Sequence, residues 1–303
     1  MEVHLFGATT PVGEGVRVLC HSSCCPINVF CYSRHRRRGS ADLFPVDLCN
    51  PGQFSFFGQS SLPKVWISFA PIWLFASFFE WLAFNCPERL NGIRGIIACS
   101  SSSAITKRFA FNRFDRQLAA RLVSAEDRLI AASRSLELPC KILRPAIIYG
   151  QVGSYGDRNI SVLLRLMSRL PFLPIPAETG LRQPIHASQL ASVALCLAKQ
   201  LSESGMCLPL HERISVGGDV QLSYTAMLQS LQRSLPAHDS ARRCRLLPIP
   251  DRLFYLIAAP LLLYSPRIFE VVLRMSADLN DFTPAHQLNG ENVKMFPVDP
   301  LAR

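Results

Sequence analysis

The stretch that most constrains this chain lies at its start. Val3-His4-Leu5-Phe6 is a short apolar run that stops at Gly7. Gly7-Ala8-Thr9-Thr10-Pro11-Val12-Gly13 then reads as a tight turn, and Glu14 to Cys20 continues as a helix. Glycines between a first strand and a first helix let the backbone approach a pyrophosphate, and the helix N-terminus adds amide donors and the positive end of its dipole. The turn has the form GxxTxxG, with Gly7, Thr10 and Gly13 as its marked positions. Alone this signal is weak, because strand-turn-helix with two glycines is common. Its weight comes from its place at the head of a regular alternation of strands and helices.

Strand and helix signals alternate down the chain. Ile27 to Tyr32 reads as a second strand ending in Ser33-Arg34, Phe44 to Leu48 as a third, Val65 to Ala70 as a fourth and Ile93 to Cys99 as a fifth. Arg116 to Ser133 has helical periodicity, with Leu118, Leu122, Ala125, Leu129 and Ala132 on one face. Cys140 to Ile148 is a further strand closing in Tyr149-Gly150. After Gly150 the pattern loosens. Helices are expected over Ile160 to Leu170, Ser188 to Leu201 and Tyr224 to Leu235, with a loop from Pro171 to Pro176 and a strand at Ile214 to Gly218. Alternation of this kind argues for an α/β chain with a parallel sheet and right-handed crossovers. The expected organisation is a dinucleotide-binding core over 1–150. The remaining sheet elements and a small substrate lobe occupy 151–303, in one integrated domain.

The charge balance excludes less than it suggests. Of the 32 basic residues, 27 are arginine and five are lysine: Lys64, Lys107, Lys141, Lys199 and Lys294. The formal net charge is +10. The arginines are scattered, apart from Arg34 to Arg38 and Arg242 to Arg245, and neither group is interleaved with the aromatics of an RNA-binding sheet. No nucleic-acid partner is expected. The 11 cysteines are irregularly spaced with no CxxC pair, so no metal is expected and reduced thiols in a cytoplasmic protein are the simplest account. The N-terminus lacks the basic and apolar regions of a signal peptide. Val65 to Phe79 is uncharged, yet its 15 residues fall short of the ~20 that cross a bilayer. It reads as a buried strand followed by an apolar helix. Leu253 to Tyr264 stays open between a core helix and a surface that touches a membrane.

At this point the chain resembles the extended or atypical short-chain dehydrogenase/reductases, the NAD(P)-dependent epimerase/dehydratase family. The resemblance rests on an ordered series: residues 7–13, Ser33-Arg34, the serines at 100–103, Leu143-Arg144-Pro145 with Ile148-Tyr149-Gly150, Asp157-Arg158-Asn159-Ile160, and Arg182 to His186. It implies a Rossmann-type, doubly wound parallel sheet with a small C-terminal substrate lobe, a dinucleotide cofactor and a nucleotide-sugar-like small-molecule substrate. One departure is Thr10, which stands where the family carries its middle glycine. Its side chain would either crowd the pyrophosphate or donate to it, and retained binding is expected.

The second strand ends without the carboxylate that would bind the ribose 2′-hydroxyl of NAD. Ser33 and Arg34 stand there instead, with more arginine at 36–38. A hydroxyl and an arginine fork suit a 2′-phosphate, so NADP(H) is expected over NAD(H). The resemblance adds Gly7, Thr9, Thr10, Val12 and Gly13 at the pyrophosphate turn, Asp47 and Leu48 at the adenine, Ala70 and Pro71 along the nicotinamide ribose, and Pro145.

The family's usual chemistry needs Tyr-x-x-x-Lys, whose spacing puts both groups on one helical face. The ammonium lowers the tyrosine pKa and the phenolate acts as general base. None of the six tyrosines is followed by lysine at that spacing. With Glu126 aligned to the glutamate after the family's lysine, Leu118 and Leu122 fill the two places. What remains is Ser102, matching the serine that holds the substrate oxygen, and Lys107, the one lysine near it in sequence. Arg158, Asn159, Arg182 and His186 resemble contacts to a nucleotide-sugar phosphate, although His186 is equally readable as a structural histidine. Two functions stay open: an NADP(H)-dependent oxidoreductase or epimerase/dehydratase with a non-standard proton relay, and a non-catalytic dinucleotide-binding sensor or assembly factor.

Overall fold

The computed structural model describes residues 1–22, 27–34, 43–54, 62–203 and 210–298. The expected arginines at 36–38 and the cysteines at 24 and 25 lie outside the described residues.

Eight strands form one parallel sheet: β1 (Glu2–Phe6), β2 (Asn28–Ser33), β3 (Leu43–Pro45), β4 (Lys64–Ser68), β5 (Ile93–Cys99), β6 (Cys140–Pro145), β7 (His211–Gly217) and β8 (Thr283–Pro284). Their spatial order is β8-β7-β6-β5-β4-β1-β2-β3, with every pairing parallel. This is the doubly wound Rossmann arrangement, and its winding reverses between β1 and β4. Strands covered on both faces must be apolar throughout, as Val65-Trp66-Ile67 and Ile96-Ile97-Ala98 are.

Helices α1 (Pro11–Ser22) and α6 (Ala187–Ser202) cover one face. They pack closely because Gly15 has no side chain: a Cβ there would stand 2.8 Å from that of Ala191. Helices α2 (Ile72–Asn85) and α4 (Arg113–Ser135) cover the other, with the short α3 (Ser103–Thr106) between β5 and α4. Between that pair and the sheet lies an aromatic core of Phe6, Trp66, Phe75, Phe78 and Phe79, all fully buried. Each such phenylalanine contributes about 1.5–3 kcal/mol on burial. The uncharged stretch from Val65 is therefore β4 followed by α2. No helix among the described residues is long and apolar enough to cross a membrane.

The second half adds a smaller lobe built from α5 (Asn159–Arg169), α7 (Tyr224–Ser234), α8 (Ser240–Arg243), α9 (Asp251–Ala258), α10 (Pro260–Tyr264) and α11 (Pro266–Leu273). It has its own core around Leu164, Met167, Leu173, Met227 and Leu228.

Two expectations are corrected. The run from Cys140 leaves the sheet after Pro145, bends, and resumes at Ile148–Tyr149 against Ile185–His186. The segment expected as a loop contains a strand, Phe172–Pro176, paired in parallel with Arg245–Ile249. Proline lacks the donor a sheet needs, but a two-stranded ribbon has a free edge on each strand that tolerates the loss. The exposed loop signal of Pro171 to Pro176 hid a ribbon partner more than 70 residues away in sequence.

Candidate functional site

The turn after β1 takes the shape a bound phosphate needs. Gly7 sits at φ +77, and a Cβ there would meet the Ala70 amide nitrogen at 2.7 Å. Gly13 is equally committed, since a Cβ would stand 2.5 Å from the Gly7 carbonyl oxygen. Thr10 closes the turn on itself. Its hydroxyl donates to the Gly7 carbonyl at 2.9 Å and accepts the Gly13 amide at 3.0 Å. Of the two alternatives open for this side chain, donation to a pyrophosphate would compete with the Gly7 carbonyl, because a hydroxyl has one proton. Thr10 acts as the N-cap of α1. Pro11 brings no amide, and Val12 and Gly13 are buried in the first helical turn.

Above this turn, at the carboxyl ends of β1 and β4, lies a cleft of about 190 Å³. The switch point of a doubly wound sheet opens such a crevice, because neighbouring crossovers leave in opposite directions there. Gly7, Thr9 and Thr10 form its base. Ser33 and Arg34 enter from the end of β2, Asp47 and Leu48 from beyond β3, and Ala70 and Pro71 from beyond β4. Nine of the residues expected at a dinucleotide thus line one cleft. Thr9 and Ser33 face each other with hydroxyl oxygens 3.4 Å apart. Asp47 accepts the Cys49 amide at 3.0 Å and the Asn50 side-chain amide. These bonds, with a smaller contribution from Arg34, hold its carboxyl below the usual range. The close approach that Gly7 allows fits the diphosphate of a dinucleotide.

Ser102 opens α3, and its amide donates to the Pro145 carbonyl at 3.0 Å, tying the ends of β5 and β6 together. Lys107 is engaged elsewhere: its ammonium sits 2.7 Å from Asp115 Oδ1, while Asp115 Oδ2 lies 3.2 Å from Arg274 of the lobe. At the two dyad positions, Leu122 is buried in the aromatic core and Leu118 packs against it. Both side chains are hydrocarbon that the fold uses for packing.

The expected substrate contacts divide. Arg158 and Asn159 are exposed at the start of α5, whose first amides are capped by Asp157. Arg182 is turned inward, 3% exposed, and donates to the carbonyls of Leu181, Ala277 and Arg274. Burial lowers its pKa. Its fork clamps the lobe's own backbone. His186 caps α6 in a capping box with Gln189, its Nδ1 lies 2.7 Å from the Ser188 hydroxyl, and its ring packs edge-on against Tyr149. The structural reading of this histidine accounts for all of these contacts.

One cluster escaped the sequence reading. Glu126 is fully buried and accepts hydrogen bonds from the Ser100 hydroxyl, Arg144 and Arg213. The available signal was a lone carboxylate between Leu122 and Leu129 on the apolar stripe of α4. A charge is buried there only when paired.

Solved structures share this architecture from end to end. UDP-N-acetylglucosamine 4-epimerase from Bacillus cereus matches over 97% of this chain and 94% of its own, with TM-score 0.59 and 15% identity. A human epimerase family protein solved with NADPH matches over 98% and 96%, with TM-score 0.64 and 12% identity. UDP-glucose 4-epimerase from Bifidobacterium longum, in complex with NAD+ and UDP, matches over 99% and 96%, with TM-score 0.61 and 11% identity. No protein-family profile and no curated protein sequence matches the chain. Fold and cleft together define the class: a Rossmann-type α/β fold of the kind found in NAD(P)-dependent epimerases.

Proposed function

We propose that this chain is an NADP(H)-binding atypical short-chain dehydrogenase/reductase that acts as an oxidoreductase or epimerase/dehydratase on a nucleotide-sugar-like substrate. The observation that carries the reading is the convergence of Gly7, Thr9, Ser33, Arg34, Asp47 and Ala70 on one cleft at the switch point of the sheet. The likeness to epimerases solved with NADPH or with NAD+ and UDP supports it.

In this reading the turn at 7–13, with Val12 and Gly13 in its helix, takes the pyrophosphate. Ser33 and Arg34 take the 2′-phosphate, where a guanidinium meets a dianion with a charge-assisted bond. Asp47 and Leu48 border the adenine, and Ala70, Pro71 and Pro145 border the nicotinamide end. A nicotinamide held there would supply or accept a hydride. Ser102 holds the substrate oxygen, and Arg158 and Asn159 reach from the entrance of α5 towards a diphosphate. Lys107 donates a proton only after leaving Asp115.

A second reading, a non-catalytic dinucleotide-binding sensor or assembly factor, draws on a specific observation. Leu118 and Leu122 fill the dyad positions, and Lys107 and Arg182 are already paired within the protein. Isothermal titration with NADPH and NADH, followed by a panel of nucleotide sugars monitored for product, separates the two. Tighter NADPH binding with turnover that Ser102→Ala abolishes supports the enzyme. Binding without turnover across the panel supports the sensor, and absence of binding to either dinucleotide overturns both.

A further inference from the structure

The segment that leads from α3 into α4 runs Arg108-Phe109-Ala110-Phe111-Asn112-Arg113-Phe114. A soluble protein normally buries such rings, yet Phe109 is 86% and Phe111 87% exposed. Arginine accompanies the aromatics: the Arg108 guanidinium stands over Phe109 at 5.5 Å and that of Arg113 over Phe114 at 5.3 Å.

Beside this loop opens a hollow of about 860 Å³ lined by Ile105, Arg108, Arg116, Arg128, Arg144 and Arg213. The carboxylates set against these five arginines are Asp127 in the lining, Glu80 on Arg128, and Glu126 on Arg144 and Arg213. Five positive against three negative leaves the hollow basic. A second apolar surface lies on the C-terminal lobe. The Arg274–Asp115 ion pair ties the end of α11 to the start of α4, and the α9–α11 unit exposes Leu256, Ile257, Leu263 and Val271.

Exposed aromatics and leucines flanked by arginine suit the boundary of a bilayer, where rings sit among headgroups and guanidinium ions meet lipid phosphates. A second copy of the chain is a poorer occupant. A two-fold interface sets the same patch against itself, and basic would face basic. We propose that this face docks on the surface of an anionic phospholipid bilayer, with Phe109 and Phe111 entering the headgroup region and the arginine-lined hollow taking lipid phosphates. The inference is independent of the cofactor reading.

The test is co-sedimentation of the full chain with vesicles. One set is phosphatidylcholine alone, and the other contains about a quarter phosphatidylglycerol. Sedimentation with the anionic vesicles is expected, with release in about 0.5 M salt as the charges are screened. Phe109→Ser/Phe111→Ser reduces the bound fraction about tenfold, since the apolar anchor is lost. Both rings are exposed, so the melting temperature stays put. Leu256→Ser/Leu263→Ser on α9 and α10 weakens binding independently. Equal partition to both vesicle types, or variants that bind like the wild type, overturns the proposal. So does a dimer in sedimentation velocity that the phenylalanine variants split, because the occupant is then a second copy.

Discussion

Thr10 and Gly7 close the phosphate turn from within: the threonine hydroxyl donates to the glycine carbonyl at 2.9 Å while accepting the Gly13 amide. Thr10→Ala therefore removes a helix cap and leaves the cleft's donors as they were. The expected cost is about 1 kcal/mol of stability. NADPH affinity is expected to change by no more than about twofold, because the hydroxyl has no second proton to give a phosphate. Thermal melting and cofactor titration of the same variant check both halves.

In the proposed reading, cofactor choice turns on the end of β2. Arg34 is exposed and Ser33 half-buried, so the arginine's contribution is partly screened. Arg34→Ala is expected to weaken NADPH about tenfold, the lower end for a charge-assisted bond, with NADH unchanged. Parallel calorimetric titrations read the ratio directly. Equal losses for the two cofactors would place Arg34 away from the 2′-phosphate.

Placing a lysine at the position expected for the dyad would not supply the dyad's chemistry. Leu122 is 4% exposed in the aromatic core, so Leu122→Lys buries an ammonium among hydrocarbon. The expected loss is about 3 kcal/mol or more, read as a lower urea midpoint. A variant as stable as the wild type would show that the α4 position opens towards solvent or the cleft.

His4 makes stability depend on pH. Burial, and to a lesser extent Lys64, push its pKa from 6.5 down to about 4. Its Nδ1 lies 3.0 Å from the Tyr32 hydroxyl. Between these values the unfolded chain takes up a proton that the folded chain refuses. Stability contributed by neutral His4 is thus complete above pH 6.5, falls as the pH drops towards 4, and is level below that. The full span corresponds to about 3 kcal/mol. Urea unfolding at several pH values should show this slope in the wild type and a shallower one in His4→Phe.

The linear order of residues determined the sheet and the cleft at its switch point. Period and punctuation are local: an apolar run ending at Gly7 predicts a strand and turn wherever it occurs, and Ser33-Arg34 announces a strand end without a carboxylate. The missing dyad was also legible, since i to i+4 spacing needs no coordinates. What only the tertiary structure decided is how the remaining polar groups are used. Arg182 meets Ala277 and Arg274, and Glu126 meets Arg213, each across a separation in sequence that periodicity cannot see. The ribbon of Phe172–Pro176 with Arg245–Ile249 stayed hidden for the same reason. A side chain's type states what it can bind, but burial and the nearest partner decide whether that capacity is left for a ligand or consumed by the fold.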